Sequence, residues 1–348
     1  MLEVAFAVPG DLTAPTGGYA YARRLLACLP AHGVSVRHVP LPSSYPHPTD
    51  DDIAETESRL RATAPGAILL VDGLAYGAMP AKLIRELGRR IVALVHHPLA
   101  FETGCDEGRR SELLASERAA LAVAERVIAC SAGTARLLAG EFGVPPDRIT
   151  VAEPGTEPAA RAAGTGSPVQ LLAIGAVSPR KGYAVLVEAL HDLAELDWHL
   201  TIAGSLDHAP EASAALRHAI EEARLDGRVT VAGAVDENRL ARFYDRADLF
   251  VSPSLFEGYG MVLAEAIARG LPLVASTGGA AADTVPDGAG LKVPPGDVAA
   301  LRAALRRLIT DPAARVAFAD GAWAAGQSLP RWNDTAARVA GALKAAAS

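Results

Sequence analysis

Two glutamates eight residues apart, Glu257 and Glu265, frame the segment with the clearest chemical content in the chain, SPSLFEGYGMVLAEAIARG at 252–270. Asp248–Ser252 has the composition of a strand, Pro253 stops it, and Gly258, Tyr259 and Gly260 form a turn that lets backbone approach a ligand closely. The spacing predicts a helix over Met261–Arg269, ended by Gly270. Exposed amides and the helix dipole at residues 260–263 suit phosphate oxygens. Glu257 stands at the helix mouth, and Glu265 lies roughly 7–8 Å further along the axis. A carboxylate at each end of a diphosphate-sized gap suits hydroxyls on either side of it. Spacing alone favours two surface acids around an ordinary buried amphipathic helix; the strand, Pro253 and the glycine pair around them reverse that.

The pattern from Glu257 to Glu265 resembles the Glu-x7-Glu signature of retaining family 4 glycosyltransferases of GT-B fold, and the resemblance covers the whole chain. It implies that Glu265 binds the nucleotide ribose, that Glu257 contacts the donor sugar, and that Gly258, Tyr259, Gly260, Met261 and Val262 hold sugar and phosphate. Pro15–Tyr19, PTGGY, resembles the family's N-terminal glycine turn after the first strand, so Gly17 and Gly18 are expected at the donor phosphate. AIGAVSPRKGYAVLVEAL (173–190) resembles its strand–loop–helix with a phosphate-binding lysine, here Lys181, with Arg180 beside it. The family usually carries Gly-Arg at the start of this segment; here Gly175 is followed by Ala176, which leaves the second phosphate contact unassigned.

LVHHPLAFETG (94–104) ends a strand with two histidines. Adjacent strand residues point oppositely and no third ligand is near, so a metal pair is disfavoured. The resemblance assigns His96 to the donor sugar or phosphate. His97 and Glu102 are the candidates on the acceptor side. Gly204, and Val235 after Gly233, end two later strands where the family contacts the nucleotide. Asp50–Asp52 satisfies a metal-binding DxD pattern of another transferase fold, but its Pro/Ser/Thr-rich surroundings predict a cap for the helix that follows.

These residues need a scaffold. The 348-residue chain is half hydrophobic, long enough for two cores without staples. Strands are expected at 3–8, 34–39, 67–71, 91–95 and 126–130, then at 169–174, 198–203, 228–233, 248–252, 271–276 and 290–293. Helices are expected between them, including 19–31, 80–88, 108–124, 133–142, 183–194 and 212–223. Apolar strands alternating with helices imply α/β architecture: two doubly wound Rossmann-like domains facing a cleft. The expected division is 1–160, acceptor-binding, and 168–329, nucleotide-sugar-binding. A Pro/Gly/Ala-rich linker (157–167) joins them, and a last helix (330–347) packs back.

Net charge is −7, with neither half basic, which argues against nucleic acid. Lys82, Arg85, Arg89 and Arg90 read as a solvated helix face. Three scattered cysteines, no basic-flanked apolar leader and no membrane-length apolar run suggest a cytoplasmic protein, with membrane contact unsupported and oligomeric state unassigned.

The implied reaction moves a hexose from a nucleoside-diphosphate sugar to an acceptor hydroxyl, with front-face retention, no metal and no cofactor beyond the donor. A UDP-sugar comes first, then GDP- or ADP-sugars. Lys181 would stabilise the leaving charge. Rival readings are a sugar-nucleotide 2-epimerase of the same fold and a non-catalytic sugar-nucleotide-binding protein. A dinucleotide dehydrogenase is disfavoured because no G-x-G-x-x-G follows any strand.

Overall fold

The computed structural model describes residues 1–101, 106–207 and 209–348, so Glu102 and Cys105 lie outside the described residues. The chain forms two compact units, Met1–Gly155 with Pro330–Ser348, and Thr156–Leu329.

The first unit carries six parallel strands: β1 (Leu2–Pro9), β2 (Val34–Leu41), β3 (Ile68–Asp72), β4 (Ile91–Val95), β5 (Arg126–Ala129) and β6 (Ile149–Val151). They lie in the order β2-β1-β3-β4-β5-β6. Every residue of β3 and β4 is buried, as expected where helices cover both faces of a parallel sheet. The chain leaves β1 in one direction for β2 and returns on its other side for β3. The crevice at the carboxyl ends of β1 and β3 is therefore the topological switch point.

The second unit repeats the plan with β7 (Val169–Ile174), β8 (Trp198–Ala203), β9 (Val229–Gly233), β10 (Leu249–Ser252), β11 (Leu273–Ser276) and β12 (Gly290–Val293). Their order, β12-β11-β10-β7-β8-β9, puts the switch point between β7 and β10. Leu171, Leu200, Leu249, Val251 and Val274 from four of these strands close one core with Leu186, Leu190, Leu305 and Leu308 from the helices.

Several boundaries differ from the sequence expectations for local reasons. The first helix is Gly17–Cys28, not Tyr19 onward, because Thr16 caps it and accepts from Tyr19 N. Gly17 and Gly18 therefore belong to its first turn rather than to a loop before it. Asp50–Asp52 is likewise inside the first turn of Asp50–Arg61. Thr49 is the cap, and Asp52 completes the capping box by accepting from Thr49 N at 2.8 Å.

Residues 162–166 have no regular structure, yet they are fastened to the second unit. Ala162 N donates to Arg269 O at 2.9 Å, and the Asp248 carboxylate accepts from the amides of Thr165, Gly166 and Gln170 at 2.8–2.9 Å. The last helix, Trp332–Ala347, belongs to the first unit. Thr335 Oγ1 donates to Glu153 O at 2.7 Å, Trp332 meets Tyr21 edge to face, and Arg90 donates to the carbonyl of Ala347 near its end. Arg89 spends its guanidinium on the carbonyls of Ala64 and Ala67, so the basic stripe is partly structural. Among the described residues no helix is long and apolar enough to cross a membrane.

Candidate functional site

In the second unit the sequence-marked residues converge at the carboxyl ends of β7 and β10. Strand β7 runs into Gly175, and the chain reaches Lys181 at the end of a short 3₁₀ turn, Pro179–Lys181. Gly175 has φ +151°, and a methyl group there would sit 2.6 Å from Lys181 Cε, so only glycine leaves room for the lysine stem. Beyond β10, the segment 254–260 lies against residues 276–280. Glu257 N donates to Gly278 O at 3.1 Å, Ala280 N donates to Glu257 O at 2.7 Å, and Ser276 Oγ donates to Ser254 O.

These two segments bring together a buried ion cluster. Lys181 Nζ donates to Glu257 Oε1 at 2.7 Å, and Arg180 Nη1 lies 3.2 Å from Glu257 Oε2 while also donating to Phe256 O at 2.6 Å. Lys181 is 8% exposed and Glu257 6%. Burial alone would push the Glu257 carboxyl upward. The Lys181 and Arg180 charges, with hydrogen bonds from Lys181 and Ser254, outweigh it and hold the pKa at about 2. Arg180 is thus a second cation at the same carboxylate as Lys181.

Glu257 leads into the helix Met261–Ala268, whose cap is Gly260 at φ +87°, a left-handed conformation suited to glycine. Leu263 N and Ala264 N turn back to Gly260 O, and the first amides of a helix, here those of Met261 and Val262, have no partner within it. Tyr259 is buried, with its carbonyl accepting from Thr284 Oγ1 at 2.6 Å; Gly258 precedes it in the same turn.

Glu265, on that helix, accepts the Tyr244 hydroxyl at Oε2. Burial raises its pKa, opposed by Tyr244 and by Arg269. Gly204, at the end of β8, packs backbone to backbone on Gly175, where a methyl group would be 2.1 Å from the Gly175 carbonyl oxygen. Val235 lies just before Asp236, which caps the helix Glu237–Arg246.

The first unit holds a second cluster at its own switch point. His96 follows β4, Asp72 ends β3, and Gly17 and Gly18 open the helix after β1. His96 Nε2 stands 3.4 Å from Asp72 Oδ2, an ion-pair contact rather than a well-formed hydrogen bond. A methyl group at Gly18 would lie 3.6 Å from His96 Cδ2, and the Tyr21 ring meets the imidazole edge to face at 5.1 Å. Cys130 Sγ donates to His96 O at 2.8 Å. Burial disfavours the imidazolium, but Asp72, with a smaller part from Cys130, outweighs it and raises His96 to about 10. His97 is partly buried next in the chain.

Asp72, Tyr244 and Ser254 did not stand out in the sequence. Asp72 carried a faint signal: it ends an apolar run, AILLVD, just as His96 ends the next. Among the described residues there is no group of three or more His, Cys, Asp or Glu side chains able to hold a metal ion.

Residues 11–160 match the family described as Glycosyltransferase Family 4, and residues 168–311 match that described as Glycosyl transferases group 1. A D-inositol 3-phosphate glycosyltransferase of Xylanimonas cellulosilytica is 32% identical over 64% of this chain. That alignment spans 57% of the relative's own length. A protein of the same name from Acidothermus cellulolyticus is 30% identical over 90% of this chain and 77% of its own.

Among solved structures, a sucrose-phosphate synthase from Thermosynechococcus elongatus superposes with a TM-score of 0.80 at 22% identity, covering 97% of each chain. Anabaena HepE in complex with UDP-glucose gives 0.76 at 18%, covering 99% of this chain and 100% of that one. At such identities the likeness is one of fold, and the fold is GT-B. With both halves matched by its families and a relative aligned over most of both chains, the protein belongs to the group 1 glycosyl transferases of glycosyltransferase family 4.

Proposed function

We propose that the protein transfers a hexose from a nucleoside-diphosphate sugar to an acceptor hydroxyl, with retention and without a metal ion. The observation that carries this is the buried cluster of Lys181, Arg180 and Glu257 beside the Gly260 helix mouth, at the switch point between β7 and β10. Two fixed cations and the first-turn amides of Met261 and Val262 at the helix mouth suit the two phosphates of a diphosphate. Pre-set cations stabilise the charge that grows on a departing diphosphate without reorganising, which is the work a divalent ion would otherwise do.

In this reading Glu257 receives hydroxyls of the donor sugar, and Glu265, backed by Tyr244, receives those of the ribose. Val235 and Gly204 line the nucleotide side. The donor's C1–O bond breaks with its electron pair going to the phosphate oxygen. The acceptor oxygen bonds to C1 on the same face, and its proton passes to that phosphate oxygen. His96, kept charged by Asp72, donates to the donor sugar or a phosphate near Gly17 and Gly18, with His97 on the acceptor side.

A UDP-sugar is the first donor to test, because the HepE structure of the same fold holds UDP-glucose. Thermal shifts with UDP-, GDP- and ADP-sugars test the reading, since a ligand of the folded state raises stability. A shift with one series supports it, and no shift with any would overturn it.

A further inference from the structure

The cations that are to hold a diphosphate are not waiting for one. Lys181 Nζ and Arg180 Nη1 each already face an oxygen of the Glu257 carboxylate, in a pocket where both Lys181 and Glu257 are more than nine-tenths buried. A phosphate arriving at these donors meets an internal anion and has to displace it. A displaced carboxylate in such surroundings is costly unless something donates to it.

An intact sugar nucleotide brings its own remedy, because its sugar hydroxyls can donate to Glu257 as the phosphates take over the cations. A bare nucleoside diphosphate brings none. It pushes a buried carboxylate off its counter-ions, adds its own negative charge nearby, and leaves Glu257 without new donors.

We infer that Glu257 is a specificity-determining residue that discriminates intact donor from spent nucleoside diphosphate, by competing for Lys181 and Arg180 whenever no sugar is present to engage it. The inference rests on the proposed function and deepens it. Its consequence is directional: discrimination arises as a difference between two affinities, and Glu257 lowers the weaker one. A residue that merely contacts sugar would leave nucleoside diphosphate affinity unchanged when neutralised.

The test is calorimetric titration of the full chain and its Glu257→Gln variant with UDP, GDP and ADP, the matching nucleosides, and the sugar nucleotide of the base that binds. Glu257→Gln is expected to bind the bare nucleoside diphosphate roughly tenfold more tightly, the scale of a charge-assisted contact. The intact donor should bind no more tightly than to wild type, so the gap between the two ligands narrows. Equal affinity for the plain nucleoside in both proteins shows that the variant's pocket is folded. Glu257→Asp, which keeps the charge but shortens its reach, should shift the same way by less. No tightening in either variant overturns the inference while wild-type binding leaves the proposed function standing. Wild-type protein that binds neither the three diphosphates nor any of their sugar nucleotides overturns both.

Discussion

Tyr244 donates its hydroxyl to Glu265 Oε2 at 2.7 Å, joining the helix Glu237–Arg246 to the helix Met261–Ala268. Tyr244 is buried, stacked on Phe250 and covered by the Arg269 guanidinium at 4.3 Å from its ring centre. Arg269 also donates to the Glu265 carbonyl at 2.9 Å. Burial raises the Glu265 pKa, and these two neighbours are what oppose it. Tyr244→Phe keeps the stacked ring and removes one donor. The carboxyl pKa should rise further, and nucleotide affinity at neutral pH should fall by roughly tenfold, the scale of one hydrogen bond to a charged group. Glu265→Ala should weaken binding more. Calorimetry decides: unaltered affinity in both variants would remove Glu265 from the nucleotide site.

Lys181 is the cation whose loss Glu257 should register most strongly. The Glu257 pKa is lowered from 4.5 to about 2, so its contribution to stability is present above pH 4.5 and is lost as pH falls toward 2. Lys181→Met leaves Arg180 alone against a buried carboxylate and should cost roughly 3 kcal/mol at pH 7. It should also abolish transfer. The double variant Lys181→Met with Glu257→Gln should recover much of the stability and none of the activity, because the uncompensated charge is gone but so is the cation. Urea melts and transfer assays test the pair. Additive destabilisation in the double variant would show that the two residues do not act as a unit.

How much of this could be read in advance follows from where information sits along a chain. Central parallel strands such as AILLV and IVALV are continuous apolar runs and announce themselves. β6, three half-buried residues at a sheet edge, gives no such run. Glu257, Lys181 and His96 were marked by their local motifs, but the 2.7 Å contact between Lys181 and Glu257 joins residues 76 apart. It depends on β7 and β10 being neighbours. Asp72 meets His96 for the same reason, since β3 lies beside β4. Arg180 could be named beside Lys181, yet its bond to the Phe256 carbonyl needed the folded loop. Tyr183, whose hydroxyl donates to Gly175 O at 3.0 Å, looked like an ordinary helix start.

Asp72 and His96 supply a prediction on charge. The raised His96 pKa means that the stabilisation from its charged form is complete below pH 6.5 and is lost as pH rises through about 10. The groups acting on it are Asp72, Cys130 and the Tyr21 ring, and Asp72 also raises the Tyr19 hydroxyl, which burial pushes up first. Asp72→Asn keeps the acceptor that caps Leu74 N and removes the negative charge. His96 should then titrate nearer neutrality by NMR, and the alkaline limb of the transfer rate should move to lower pH. An unmoved His96 titration would show that Asp72 does not hold its proton.

Glu117 offers the last prediction, away from both clusters. It sits on the helix Glu107–Leu121, 1% exposed, with the amides of Leu99 and Ala100 directed to its carboxylate. Those amides belong to the short turn Leu99–Phe101, two residues after His97. Burial raises the carboxyl from 4.5 to about 7, and the amide hydrogen bonds only partly oppose the rise. The folded state therefore binds a proton more tightly than the unfolded chain. The associated stability is fully present below pH 4.5 and is lost as pH climbs through 7, a change of roughly 3 kcal/mol. Glu117→Gln keeps an oxygen for the Ala100 amide and has nothing to ionise. Its stability should stay level where the wild type declines, so the variant should be the more stable protein at pH 8 and gain nothing at pH 4. Denaturant midpoints of both proteins across pH 4–8 measure this directly. Parallel curves would mean that Glu117 ionises in the folded protein without cost.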